Sequence, residues 1–272
     1  MPERFLARAI LPCLLLALWQ ALALWIDSPT VLPGVESVAH VLAHPLQPIL
    51  ITGSLIDNLL VSLLRVICGF VLAAALAVPL GLLLGMSPRT ERLFESLIEL
   101  LRPVPPLAWV PLLLTWFGLA GPADYLPLLR EWAVLDSLKF SMIAVIMIGA
   151  FFPILLNTIQ GVRNQPRIWI ESARTLGARR TTLLAKVILP GSLPFLMTGL
   201  RIGMGIGWMC LVAAEMLPGS SSGLGYLVWY AYELMHTEII LAGILIIGIV
   251  GLLMDQGFRF LEARLCPPTT RI

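Results

Sequence analysis

Residues 140–162 read FSMIAVIMIGAFFPILLNTIQGV, a run without a charged side chain. An α-helix needs about 20 mostly apolar residues to cross the hydrocarbon core of a bilayer. Six segments meet this requirement: Leu6–Ile26, Leu59–Met86, Leu97–Leu119, Phe140–Val162, Ile188–Leu217 and Ile239–Phe260. They lack the alternating apolar and polar pattern of membrane barrel strands. The sequence therefore predicts an all-α integral membrane protein with about six transmembrane helices.

The composition supports this class and argues against others. Of the 272 residues, 58% are hydrophobic and 12% are charged, whereas soluble domains contain about 25% charged residues. The net charge of +2 is small, and no basic run with interleaved aromatic residues is present, which argues against nucleic acid as a partner. The spans and their short connections leave no stretch for a soluble domain. We therefore interpret residues 1–272 as a single transmembrane domain.

Most of the arginines lie in the segment before the first span, the 86–92 turn, the 163–187 loop and the end after Phe260. Because Arg and Lys accumulate on the cytoplasmic side of membrane proteins, both termini are predicted to be cytoplasmic. Arg4, Arg8 and the run that follows also resemble a signal peptide. That run exceeds the usual apolar core of about 7–15 residues, and its removal would invert the charge pattern. We therefore expect the segment to be retained as a span.

The largest predicted cytoplasmic loop spans 163–190 and has the signals of two short helices. The first helix is predicted to begin at Asn164, with Pro166 in its first turn, and to end at Gly177. The second is predicted to run from Arg180 to Pro190, where the fifth span begins. On composition alone, this helix–glycine–helix arrangement is also consistent with a simple connector.

The first of these helices is predicted to be amphipathic. Trp169, Ala173 and Leu176 share one face, whereas Glu171 and Arg174 lie on another face, close enough to pair. We therefore expect the apolar face to pack against another surface.

The loop resembles the EAA loop of ABC importer permeases, because it contains E-S-A-x-x-x-G followed by V-I-L-P. Ser172 and Val187 depart from the family's usual Ala and Ile, and both changes are small. The resemblance implies that this loop couples the permease to a cytoplasmic ATPase subunit. The residues to which it gives this coupling role are Glu171, Ser172, Ala173, Gly177 and Pro190.

Three further stretches resemble the nitrate, sulfonate, taurine and bicarbonate branch of these importers. They are LRPVPPLAWVPLLLTWFG at 101–118, GAFFPILLNT at 149–158 and TGLRIGMGIGW at 198–208. The resemblance covers most of the chain and implies a type I ABC importer bundle in the bacterial cytoplasmic (inner) membrane. It also implies the partners: a second permease copy in a homodimer, two ABC ATPase subunits, and a periplasmic or lipid-anchored binding protein.

The third predicted span contains four prolines, Pro103, Pro105, Pro106 and Pro111, and cannot form one regular helix. Irregular backbone at membrane depth is tolerated where it is buried in protein or lines a cavity, so this segment is a candidate for the translocation path. Its candidate residues are Arg102, Pro105, Pro106 and Trp109. Glu99, three residues before Arg102, is an alternative ion-pair partner for that arginine.

The fifth predicted span has two distinct faces. Arg201, Trp208 and Glu215 share a face that is predicted to look into the bundle interior or a water-filled cavity, and they complete the candidate path. Gly199, Gly203 and Gly207 lie on the opposite face, where small residues let another helix approach closely. Arg201 and Glu215 also fit purely structural pairing with other helices.

No GxxxxGK[ST] motif occurs, so we expect no cofactor on this chain, with ATP and Mg²⁺ bound by the partner ATPase. No HExxH, GxSxG or metal-ligand cluster appears either, so we expect no catalytic or metal-binding residues and no enzymatic activity. A secondary transporter driven by an ion gradient is the alternative hypothesis. It predicts paired broken helices in the two halves of the chain, and only the third span is clearly broken.

Overall fold

A computed structural model describes residues 2–125, 137–217 and 219–265, with side chains from residue 10 onward. Within these ranges the chain forms α-helices and no β-strand. The helices are α1 (Pro2–Ile26), α2 (Val35–Ala43), α3 (Leu55–Met86), α4 (Pro88–Leu101), α5 (Val110–Phe117), α6 (Pro122–Tyr125), α7 (Phe140–Arg163), α8 (Arg167–Thr175), α9 (Arg180–Leu183), α10 (Leu189–Glu215), α11 (Leu224–Glu233) and α12 (Thr237–Leu265). This architecture confirms the all-α membrane class.

Five stretches of helix are long and apolar enough to cross a membrane: Leu55–Met86, Pro106–Tyr125, Phe140–Arg163, Arg180–Glu215 and Thr237–Leu265. They correspond to the second to sixth predicted spans. The first predicted span falls on α1, whose part with described side chains is a shorter apolar helix, Ile10–Ile26.

The third span begins later than the predicted Leu97. Residues up to Leu101 belong to α4, an amphipathic helix that starts at Pro88 after the N-cap Ser87. The chain is then irregular until a 3₁₀ turn at Pro106–Trp109, which leads into α5. The break follows from the prolines, because each removes a backbone donor and its ring clashes with the preceding helical turn.

The described chain divides into two compact units. One contains the residues up to Leu60 together with Glu215–Ile249, and its core joins Leu55 to Leu227, Ala231 and Ile239. The other contains Val61–Ala214 and the chain from Val250 onward. The loop and the broken third span, which carry most of the predicted site residues, lie in this second unit.

Helix α7 is the centre of the second unit, and α3 approaches it along a row of small residues. Gly69, Ala73, Ala77, Gly81 and Gly85 follow one another at four-residue spacing. Both alanines are fully buried. A Cβ atom added at Gly81 would lie 2.6 Å from Cβ of Thr158 on α7. The two backbones are therefore too close for a larger residue at this position.

A second row of small residues brings α10 against another side of α7. Gly199, Gly203 and Gly207, predicted to permit close approach, lie against Asn157, Ile154 and Ile146. A Cβ at Gly203 would lie 2.8 Å from Cγ1 of Ile154 and 3.0 Å from the backbone oxygen of Ala150. Helix α7 is thus held between two small-residue faces, which fixes the positions of α3 and α10 along its length.

Replacing Gly203 with Leu should lower the stability of the protein by about 1–3 kcal/mol, because the added side chain forces α10 away from α7. Gly257→Leu is the matched control, since no atom lies within 4 Å of a Cβ added at Gly257 on α12. The thermal unfolding midpoint in detergent measures the effect. Equal midpoints for the two variants would contradict the close packing described for α7 and α10.

Candidate coupling elbow and transport cavity

Helix α8 begins one turn later than the sequence predicts. Asn164 caps the end of α7 by donating from its backbone N–H to the carbonyl of Gln160, and Pro166 is the extended N-cap of α8. The predicted start at Asn164 is wrong because the residue before a proline is sterically disfavoured in the helical conformation. Gln165 therefore lies in the link between α7 and α8.

Helix α8 ends at Gly177, whose φ of 79° lies in the left-handed region. The Gly177 N–H donates to the Arg174 carbonyl at 2.9 Å, and the Ala178 N–H donates to the Ala173 carbonyl at 3.0 Å. This pair of hydrogen bonds is a Schellman motif, which terminates a helix and redirects the chain. Residues 167–183, from α8 through this turn to α9, are called the elbow below.

The elbow packs against its own unit through a different face from the one predicted. Ile170 and Ala173 contact a buried cluster of Val162, Leu183 and Ile188. Trp169 is 41% exposed and Leu176 is 88% exposed, so the predicted face of Trp169, Ala173 and Leu176 is divided. The returning chain at 183–188 lies beside Ile170 and Ala173 and leaves Trp169 and Leu176 on the outer surface.

Glu171 and Ser172 also lie on the exposed surface of the elbow. Glu171 forms no ion pair with any described residue, so the predicted pairing with Arg174 is absent from this part of the chain. The outer face of the elbow therefore combines apolar side chains with a carboxylate that is available to a partner.

The elbow continues into the fifth span without interruption. A π-helical turn at Leu184–Ile188 joins α9 to α10, and helical structure runs from Arg180 to Glu215. The Leu189 N–H donates to the Leu184 carbonyl, five residues earlier. Pro190, predicted to mark the start of the span, lies within this continuous helix. The π-turn widens the helix just before the proline ring, which would clash with the regular preceding turn.

A cavity of about 1190 Å³ lies in the second unit. One wall is the polar face of α4 with Glu91, Glu95, Glu99 and Arg102, and it continues into the irregular segment at Pro103 and Pro106. The opposite walls come from α7 and α10, and their lining residues include Phe152, Pro153, Asn157, Gln160, Arg163, Ile202 and Ile206. The broken third span thus borders an open space, as expected for irregular backbone at membrane depth.

The charges of this cavity are only partly neutralised. Arg163, in the last turn of α7, forms an ion pair with Glu91. Among the described residues Glu95, Glu99 and Arg102 form no ion pair, so the alternative pairing of Arg102 with Glu99 is not formed. The spacing of Glu95, Glu99 and Arg102 predicts their shared face, whereas the separate helix α4 and the extension of this face to Glu91 were not predicted. The signals for both were the Ser87-Pro88 helix start and the four-residue spacing of the three glutamates.

Of the other candidate path residues, Pro105 precedes the 3₁₀ turn at Pro106–Trp109. Trp109 packs against an apolar cluster that includes Val145 and Cys210. Neither is part of the cavity lining described above.

Arg201 lies 3.8 Å from Asp255 and 3.6 Å from Glu262, both on α12. About two helical turns further along α10, the buried Trp208 lies against Gly251 of α12. Arg201 therefore joins α10 to α12, which is the structural alternative that the sequence left open.

Glu215 is fully buried in the first unit. Its Oε2 accepts a hydrogen bond of 3.0 Å from the Gly225 N–H in the first turn of α11. Gly223, with a φ of 111°, passes so close to this carboxylate that a Cβ there would overlap it. The Gly223 N–H donates to Oδ1 of Asn58 at 2.8 Å. Glu215 and Asn58 thus satisfy backbone donors at the start of α11, as helix capping requires.

These features define the class of the protein. Two long apolar helices, α7 and α10, and the polar face of α4 line a cavity with charged walls, and α10 continues into an exposed elbow outside the span. Such an arrangement is typical of the membrane subunit of a transporter.

Comparison with known protein families identifies the family of this transporter subunit. Residues 77–266 match the model of the binding-protein-dependent transport system inner membrane component family, and the chain belongs to this family. It is therefore a permease subunit of an ABC importer, located in the inner membrane.

The relatives of this chain are ABC transporter permeases. A protein of Methanocaldococcus jannaschii named as ABC transporter permease protein MJ0413 is 52% identical, over 93% of this chain and 88% of that protein. The taurine transport system permease protein TauC of Escherichia coli K12 is 36% identical, over 94% of this chain and 87% of that protein. Permeases named for aliphatic sulfonates, bicarbonate and nitrate match at 35–38% identity.

The fold is also that of a solved importer. An inward-facing structure of the MetNI methionine ABC transporter superposes with a TM-score of 0.61 at 18% identity. The match covers 78% of this chain and 95% of that chain. The predicted type I importer bundle is confirmed at the level of the fold.

Replacing Glu215 with Gln should destabilise the protein by about 1–3 kcal/mol, because a buried hydrogen bond to the start of α11 is weakened. The thermal unfolding midpoint measures the loss. Glu36→Gln, at an exposed position in the first turn of α2, is the matched control. If both variants unfolded at the same temperature, the capping role of Glu215 would be ruled out.

Proposed function

We propose that this permease forms the path for a small anionic solute of the nitrate, sulfonate, taurine or bicarbonate type. The relatives named for these solutes support this substrate class. A binding protein outside the membrane delivers the solute, and the chain itself is not an enzyme. A partner ATPase binds ATP and Mg²⁺ and hydrolyses the nucleotide.

The path runs through the cavity beside the broken third span. Arg102 supplies a fixed positive charge in the wall, and no described carboxylate pairs with it. A guanidinium presents several donors to an oxyanion without a closed binding site, which suits passage through the membrane. Pro105, Pro106 and Trp109 hold the irregular backbone that forms this side of the path.

The elbow couples the path to the ATPase. Its exposed Trp169 and Leu176, together with Glu171, offer an apolar and charged surface of the kind that docks into a groove on a partner. Movement of a docked ATPase reaches the fifth span because helical structure is continuous from Arg180 to Glu215. This continuity is the observation on which the proposed coupling depends.

The working assembly contains two copies of this chain, two ATPase subunits and one binding protein. The family description and the importer fold support the ATPase and binding-protein partners. An ion-gradient-driven transporter is the disfavoured alternative.

Reconstitution of the permease in liposomes, with and without its ATPase, tests the assignment. Uptake that needs the ATPase, hydrolysable ATP and a loaded binding protein is the expected result. Gradient-driven uptake by the permease alone would contradict it. Measuring which of taurine, nitrate and bicarbonate stimulates ATP hydrolysis in the assembled complex identifies the solute.

Replacing Gly177 with Val should uncouple ATP hydrolysis from uptake, because a β-branched residue strongly disfavours the left-handed conformation at this position. Uptake per ATP hydrolysed should fall by about fivefold or more, the usual scale of a coupling free energy. Gly177→Asn is the control, since Asn tolerates this conformation and should retain most of the coupling. A Val variant that transports like the wild type would exclude the elbow from coupling.

Replacing Arg102 with Gln should lower anion uptake by about tenfold, through the loss of a charged hydrogen-bond donor worth about 1.5–3 kcal/mol. Arg102→Lys, which keeps the charge, should retain part of the uptake. Arg89→Gln is the matched control, because Arg89 is exposed near the start of α4 and does not line the cavity. Uptake that is unchanged in Arg102→Gln would remove this residue from the path.

A further inference from the structure

The chain before the elbow and the chain after it meet at one buried side chain. Gln165 lies just before α8 and is 7% exposed. Its amide lies across Gly191 of α10, just after Pro190, where an added Cβ would overlap Oε1 of Gln165. The segments that precede and follow the elbow, at Gln165 and Gly191, are therefore in direct contact.

The orientation of the Gln165 amide is set by a hydrogen bond to α7. Nε2 donates to the Gly161 carbonyl at 2.8 Å. Gly161 is itself in close contact with α10, because a Cβ there would lie 3.0 Å from Cβ of Ser192 and 2.8 Å from Cβ of Phe195. The end of α7, the Gln165 amide and the start of α10 thus form one tightly packed junction.

The oxygen atom of this amide has no hydrogen-bond donor among the described residues. Oε1 of Gln165 is buried and accepts no hydrogen bond from the described part of the chain. Burying an unpaired carbonyl oxygen is unfavourable, so each such atom in a folded protein calls for an explanation. An apolar side chain of the same length would fill this space without that cost.

We propose that Gln165 is a positioning residue that holds the base of the elbow against α10 and so transmits movement of the elbow into the fifth span. The contact is steric at Gly191, and the unpaired oxygen keeps it weak enough to be released and re-formed during the transport cycle. This inference rests on the proposed coupling function of the elbow.

The assembled transporter in liposomes provides the test, with uptake of taurine, nitrate and bicarbonate and ATP hydrolysis measured together. Gln165→Ala removes the contact and should reduce uptake per ATP hydrolysed by about fivefold or more, on the scale of typical coupling free energies. Gly191→Ala displaces the amide and should have the same effect. The double variant should recover part of the coupling, since the new methyl group occupies space vacated by the glutamine.

Gln165→Met keeps the length of the side chain and removes the unpaired oxygen. It should keep the ratio of uptake to ATP hydrolysis, slow both rates because the contact is released less readily, and raise the thermal unfolding midpoint. Loss of the hydrogen bond to Gly161 alone would lower the midpoint instead. Gly257→Ala is the matched control for Gly191→Ala, because its Cβ meets open space. It should change neither uptake nor hydrolysis.

The outcomes distinguish failure of the positioning role of Gln165 from failure of coupling through the elbow. If Gly177→Val uncouples transport and Gln165→Ala and Gly191→Ala do not, the positioning role of Gln165 is wrong and the elbow still couples. If none of the three uncouples transport, coupling through the elbow itself is wrong. A double variant that is as impaired as the two single changes combined would also overturn the contact at Gly191.

Discussion

Close approach of helix backbones to α7 is the constraint on which the second unit depends. Lipid tails are as apolar as the side chains they surround, so helices in a membrane gain little from hiding apolar groups and associate through tight packing. Gly81 and Gly203 meet α7 on two of its sides, at distances that leave no room for a Cβ. The positions of three helices along one another are thereby determined by residues that have no side chain.

This packing also determines where the cavity and the elbow lie. The same helix that accepts the glycine rows ends at Arg163, contributes Asn157 and Gln160 to the cavity, and leads directly into the elbow. Because α10 is packed on α7 from Gly199 to Gly207, the start of α10 is brought against Gly161 and Gln165. The cavity wall and the base of the elbow are consequences of one helix–helix interface.

The sequence predicts the parts of this structure that depend on composition and local stereochemistry. Apolar length locates the spans, four prolines break the third span, and Gly177 ends α8, since each effect operates within a few residues. The sequence does not predict which groups a charged side chain contacts. Periodicity places Arg201 and Glu215 on one face, yet Arg201 is bound by Asp255 and Glu262 while Glu215 caps α11. A face can be read from spacing, but the groups opposite it depend on distant segments.

The helix from Arg180 to Glu215 combines rigidity with one point where it deforms. Pro190 has no N–H to donate. In the π-turn at Leu184–Ile188, hydrogen bonds between residues five apart replace the regular bonds between residues four apart. A helix bends most easily at such a site. Gly161, Gln165 and Gly191 pack at that same level, so α7 supports the helix where its own hydrogen bonding is weakest. In the proposed coupling, force applied to the elbow acts on α10 at a point braced from one side, which converts displacement of the elbow into a tilt of the span.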